Sequence, residues 1–134
     1  RFPAYHSALS EANESREQTF TEAEERSLPT NHAVVGAVMA RTWALPEPLA
    51  GAILHHHRLA QSGNVASLLA RDVRHLIAIA QIAEHLFQEA SGLSRNHEWE
   101  KLGAATLATL DLHSDDLGPL KLRAKAFLDS LEPL

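Results

Sequence analysis

The sequence of 134 residues contains no cysteine. Disulfides, thiol chemistry and zinc–thiolate sites are therefore excluded, and any metal would have to be held by histidine and carboxylate. Aromatic residues make up only 5% of the chain, and it has just five Val and four Ile. Strands favour such side chains, so their scarcity argues against a sheet. No run of period-two alternation contradicts this. No stretch approaches the roughly 20 apolar residues that a membrane span needs. Basic residues are outnumbered, 12 Lys and Arg against 17 Asp and Glu, for a net charge of −5. A broad basic surface for nucleic acid is thus not expected. The six glycines are scattered, and neither a Gly-rich phosphate loop nor a G-x-S-x-G nucleophile motif is present. The chain opens with Arg1-Phe2-Pro3, not with Met, and no basic-then-apolar signal segment follows.

What the sequence does contain is Ala (22) and Leu (21), about a third of its residues. These are helix formers. The expected fold is all-α, a compact bundle of five to six helices with short connections. Residues 4–26 are polar, with six Glu and two Arg between Glu11 and Arg26. They read as a solvated acidic helix or linker. Leu28-Pro29-Thr30-Asn31 reads as a stop followed by an N-cap. A helix over about 32–43 follows, with Val35, Met39 and Trp43 as its core stripe. Its small Gly36, Ala37 and Ala40 permit close approach of a neighbour. Pro46 and Pro48 fit the first turn of a helix reaching about residue 59, striped by Leu49, Ile53 and His57. After a loop at 61–64, a helix over about 73–90 carries apolar residues on two sides and should be central and buried nearly all round. Further helices are expected near 96–110 and from Ser114 onward, the latter with Asp115 and Asp116 in its first turn.

Nine histidines is a high count. His32 opens one helix, and His56 and His57 close the next. Antiparallel packing of the two would bring His32 near His56 and His57. Glu84 falls on the expected inward stripe of the central helix. Three imidazoles and a carboxylate suit zinc, iron, nickel or manganese. The opposing reading is that histidine at a helix C-terminus is favoured by the helix dipole alone.

Asn31-His32-Ala33-Val34-Val35-Gly36-Ala37, Trp43-Ala44-Leu45-Pro46-Glu47-Pro48 and Ala52-Ile53-Leu54-His55-His56-His57 resemble, in order and spacing, the HDOD domain, or HD-related output domain. The resemblance runs from about Glu24 to the end. It implies that 27–134 is the C-terminal part of an HD-like helical domain, with 1–26 either its leading helix or a linker. It also implies a bacterial, cytoplasmic signalling module that works with receiver or cyclic-di-GMP-related domains. Catalytic HD relatives use an early His, a His-Asp pair, later histidines and a final Asp. Carried over, His32 takes the place of the histidine before the small-residue helix, and His56 and His57 that of the later pair. Glu84, or Gln81 one turn earlier, stands at the final acidic position. Arg58 stands where the HD-GYP subgroup has Glu, and that subgroup's Gly-Tyr-Pro loop is missing. No His-Asp pair exists in the chain. The one acidic residue directly after a histidine is Glu98, far from the motif region.

The expectation is therefore a non-catalytic regulatory output domain acting through protein contacts, with other signalling domains or a second copy as partner and neither nucleic acid nor membrane. No catalytic residue and no obligatory cofactor are assigned. His32, His56, His57 and Glu84 are the candidate ligands for a divalent metal such as iron, manganese or zinc. The alternative is a metal-dependent phosphohydrolase or cyclic-dinucleotide phosphodiesterase on the same ligands. A third reading, a helical nucleic-acid binder, has only Lys121, Arg123 and Lys125 in its favour.

Overall fold

Caps and breakers written in the sequence set several of the helix boundaries. A computed structural model describes residues 3–60, 68–93 and 96–131. Among them are seven α-helices and no strand, as the Ala- and Leu-rich composition predicts. The acidic stretch forms two helices, α1 (Pro3–Glu14) and α2 (Phe20–Ser27). Thr19 caps α2 reciprocally with Glu22: the Thr19 hydroxyl accepts from the Glu22 N–H, and the Glu22 carboxylate accepts from the Thr19 N–H. Asn31 caps α3 (His32–Thr42) by accepting from the Val34 N–H. Pro48 lies in the first turn of α4 (Glu47–His55). Next come α5 (Arg71–Ser91), ended by Gly92 at φ +73°, α6 (Glu98–Thr109), and a 3-10 turn (Ser114–Asp116) leading into α7 (Leu117–Ser130). The loop expected at 61–64 lies outside the described residues. No helix among the described residues is long and apolar enough to cross a membrane.

Neighbours in sequence pack as neighbours in space: α1 on α2, α3 on α4, α4 on α5, and α5 on both α6 and α7. One core cluster joins Ala52, Leu59, Val73, Ile77 and Ala78. A second joins Ala12, Phe20 and Ala23, with Leu9 against it. The second cluster corrects the reading of residues 4–26 as a solvated helix or linker. Its two helices have a packed seam of their own, and Glu24 is only 1% exposed.

Two further expectations are corrected. On α3 the small residues, Ala33, Ala37 and Ala40, are buried, while Val35, Met39 and Trp43 face outward. Gly36 explains this: a Cβ there would lie 2.9 Å from Cγ2 of Ile53 on α4. Backbones that approach this closely leave room for only small side chains, and the bulky stripe turns to the other side. Likewise α5 is not buried all round. Its inner face is Val73, Ile77, Ala78, Gln81 and Ile82, while Leu76, Ile79 and Phe87 are exposed.

These faces make a direct prediction. Ile77→Ala should cost about 2–5 kcal/mol of unfolding free energy, because it opens a cavity in the first cluster. Val38→Ser, on the outward face of α3, should change it by no more than about 0.5 kcal/mol. Urea denaturation of the two variants checks the contrast.

Candidate metal centre

The first N–H groups of a helix have no partner within it, and its N-terminus attracts negative charge. At the start of α3 the Glu24 carboxylate fills that role, with Oε2 accepting from the His32 backbone N–H at 2.9 Å. The same oxygen lies 2.7 Å from Nδ1 of the His32 ring. At the end of α4 the pattern recurs with a carbonyl: His56 Nδ1 is 2.7 Å from the oxygen of Ile53. His57, one residue on, sets Nδ1 2.7 Å from Oε2 of the buried Glu98 at the start of α6.

Carboxylates and carbonyls only accept, so each of the three Nδ1 atoms carries the ring proton. A neutral imidazole has one N–H. When the rings are neutral each Nε2 is left with a lone pair, and the three Nε2 atoms lie close together. His32 Nε2 is 3.1 Å from His56 Nε2 and 3.0 Å from His57 Nε2. In that neutral form a cation between them, either a metal ion or a second proton on one ring, relieves the crowding of the lone pairs. Among the described residues this is the one group of three or more ligand atoms drawn close together, all within 4.8 Å of one another. Two buried carboxylates, Glu24 and Glu98, stand behind it, and the Lys101 ammonium pairs with Glu98. The donor set fits a divalent ion. Imidazole without carboxylate suits zinc or iron better than manganese, which favours oxygen. Carboxylate-backed histidine is the usual arrangement around metal-binding imidazoles.

The ring planes are held from several sides. Phe20 stacks on His57 at 5.3 Å between centroids. Gln81, buried on α5, donates to the backbone carbonyl of His56 at 3.1 Å. It thus serves as a backbone clamp at the position considered for a carboxylate ligand. The site opens into a cleft of about 420 Å³ whose lining includes Tyr5, Asn13, Asn96 and Glu84.

The structure brings His32, His56 and His57 together, as antiparallel packing of α3 and α4 implied. Glu84 lines the same cleft but stands outside the three-ligand group. It is exposed and accepts from Gln88 and Asn96. Sequence reasoning missed Glu24, one of six glutamates in the acidic run, and set Glu98 aside as lying in the wrong region. Folding brings Glu98 onto His57 across 41 positions of chain. The basic trio on α7 is partly neutralised, since Lys121 pairs with Glu89 and Lys125 with Asp129.

Burial, together with the nearby His57 and His32, pushes the pKa of His56 down to about 4 from 6.5. For Glu98, burial raises the pKa, but hydrogen bonds from His57 and Lys101 outweigh it and leave it below the usual carboxylate range. Between about pH 6.5 and 4 the unfolded chain therefore binds a proton at His56 that the folded chain refuses. Below the ordinary Glu pKa the unfolded chain likewise takes up a proton at position 98 before the folded one does. In both cases the unfolded state binds more protons, so stability rises with pH and is lost as the pH falls. The metal-free protein should lose thermal stability steadily from pH 6.5 to 4. His56→Gln should flatten the upper part of that slope, which melting curves in a pH series would show.

Comparison with family models gives one match: residues 1–59 match the HDOD domain. Comparison with curated proteins and with solved structures gives no match. The matched span covers α1 through α4 and includes Glu24, His32, His56 and His57. It begins at residue 1, so the expected span, from about Glu24 to the end as a C-terminal portion, is corrected. The acidic segment belongs to the matched sequence, and residues beyond 59 fall outside it.

Proposed function

We propose that this chain, HDOD-domain sequence over residues 1–59, is a regulatory output module that holds one divalent metal ion and acts by contact with a partner protein. The observation that carries the reading is the convergence of the three Nε2 atoms of His32, His56 and His57, each ring's Nδ1 being engaged by a carboxylate or carbonyl. A bound ion would supply Lewis acidity at the cleft and a cross-link between the start of α3 and the end of α4. Glu24 and Glu98 orient two of the imidazoles, and Gln81 fixes the backbone that carries the third.

Several features favour regulation over hydrolysis. Two-metal hydrolysis needs ligands for two ions about 3.5–4 Å apart. Among the described residues there is one three-ligand group, and Glu84 is engaged by Gln88 and Asn96. Among the described residues the cleft lining includes the carboxylates of Glu84 and Glu98 and no Lys or Arg, a lining that does not favour a cyclic dinucleotide with its two phosphodiesters. The outward stripe of α3, with Val35, Met39 and Trp43 exposed, supports an output made by protein contact, with a receiver or cyclic-di-GMP-related domain as the partner class. The bacterial, cytoplasmic setting rests on the family resemblance alone.

The test is a phosphodiesterase assay of the manganese- and iron-loaded protein beside elemental analysis. One ion per chain without turnover is expected. Turnover that His57→Ala abolishes would replace this reading with the phosphohydrolase.

A further inference from the structure

Lysine is rarely buried unless it is paired, yet the Lys101 side chain on α6 is 9% exposed. Its ammonium has three neighbours. It donates to Oε1 of Glu98 at 2.7 Å and to the backbone carbonyl of Gln18 at 2.7 Å, and it lies 5.7 Å from the centre of the Phe20 ring. Phe20 is the residue stacked on His57, and the other oxygen of Glu98 is the one bonded to His57 Nδ1. Lys101 thus reaches His57 by two routes, one through the carboxylate at the ring edge and one through the aromatic face.

The two carboxylates of the site are not equivalent. Glu24 bonds His32 through Oε2 alone, and its Oε1 is buried without a partner. It is held by the helix N-terminus. Glu98 has both oxygens committed on opposite sides, to a cation and to a histidine. A carboxylate anchored at one end has little freedom to rotate at the other, and that restraint passes to the imidazole it accepts from.

We infer that Lys101 and Glu98 are positioning residues for the metal centre: Lys101 fixes the Glu98 carboxylate, which holds His57 as the Nδ1–H tautomer with Nε2 turned toward His32 and His56. This rests on the one-metal reading above but makes a claim that can be tested without metal. A merely structural ion pair would stabilise α6 and leave the His57 tautomer unchanged.

The experiment uses the full chain, labelled at histidine nitrogen, in wild-type, Lys101→Met, Lys101→Arg and Glu98→Gln forms. Two quantities are read: the ring nitrogen spectrum of His57 in metal-free protein, and the zinc dissociation constant by calorimetry. Lys101→Met should broaden or shift the His57 Nδ1–H signal, leave that of His32 in place, and weaken zinc about 10–100-fold. Lys101→Arg should restore most of the affinity. Lys101→Met protein that folds, keeps the His57 signal and binds zinc like the wild type would overturn the inference. Should Lys101→Met fail to fold, Glu98→Gln, which keeps the side-chain shape, decides by the same two readouts. Failure of the wild type to bind zinc would sink the one-metal reading. The metal-free spectra would still decide the positioning role: a changed His57 signal in the variants sustains it and an unchanged one ends it.

Discussion

Replacing His57 by alanine should lower the zinc retained by the purified chain from about one ion to background. The loss of affinity should exceed the roughly 10–100-fold that removal of an outer partner costs. The substitution removes one of three converging nitrogens and also strips Glu98 of the ring it orients. His32→Ala and His56→Ala should behave alike. His55→Ala is the informative control. It is the same residue type in the same His-His-His run, yet it lies outside the converging group. It should leave zinc binding within about twofold. Equal losses from all three positions of the run would mean that the run chelates as a flexible tag does, and the geometry would then be irrelevant. Calorimetric titration of the four variants, with circular dichroism to confirm folding, separates these outcomes.

The second large effect is at Gly36, far from any ligand atom in chemical character but central to the frame. A Cβ there would meet Cγ2 of Ile53 at 2.9 Å. Ile53 is β-branched and stiff at χ1, so its methyl cannot swing aside cheaply. Gly36→Val must therefore push α3 away from α4, at a cost of about 1–3 kcal/mol. The melting temperature should fall by several degrees. His32 rides on α3, and His56 and His57 follow α4, so the same displacement should weaken zinc binding at least tenfold. Gly118→Ala on α7 meets open space and should be neutral or stabilising by up to about 1 kcal/mol. A Gly36→Val protein with wild-type stability and affinity would show that close α3–α4 contact does not set the site.

Much of this arrangement was legible in the residues. Ala and Leu abundance gave the all-helical class. Asn31, Pro48 and Gly92 mark helix ends where caps and breakers predict them. Gly36, Ala37 and Ala40 announced a close helix contact, and that contact delivered His32 to His56 and His57. The rest was hidden for identifiable reasons. A stripe of large apolar residues looks the same whether it is covered or not. On α3 such a stripe reads as core, although the small residues occupy the buried side. The same ambiguity on α5 misdirected Glu84, because the inner face runs through Gln81 and Ile82 instead. Glu24 and Glu98 are outer partners, and nothing in their local sequence distinguishes them from solvated glutamates. Their role exists only once the helices are packed.

Three imidazoles, each with its Nδ1 engaged elsewhere, are proposed to hold one divalent ion. X-ray absorption at the zinc edge, on the zinc-loaded chain after removal of excess metal, tests it most directly. One ion per chain with three imidazole nitrogens at about 2.0–2.1 Å is expected. No retained zinc, or a shell without imidazole, would contradict it.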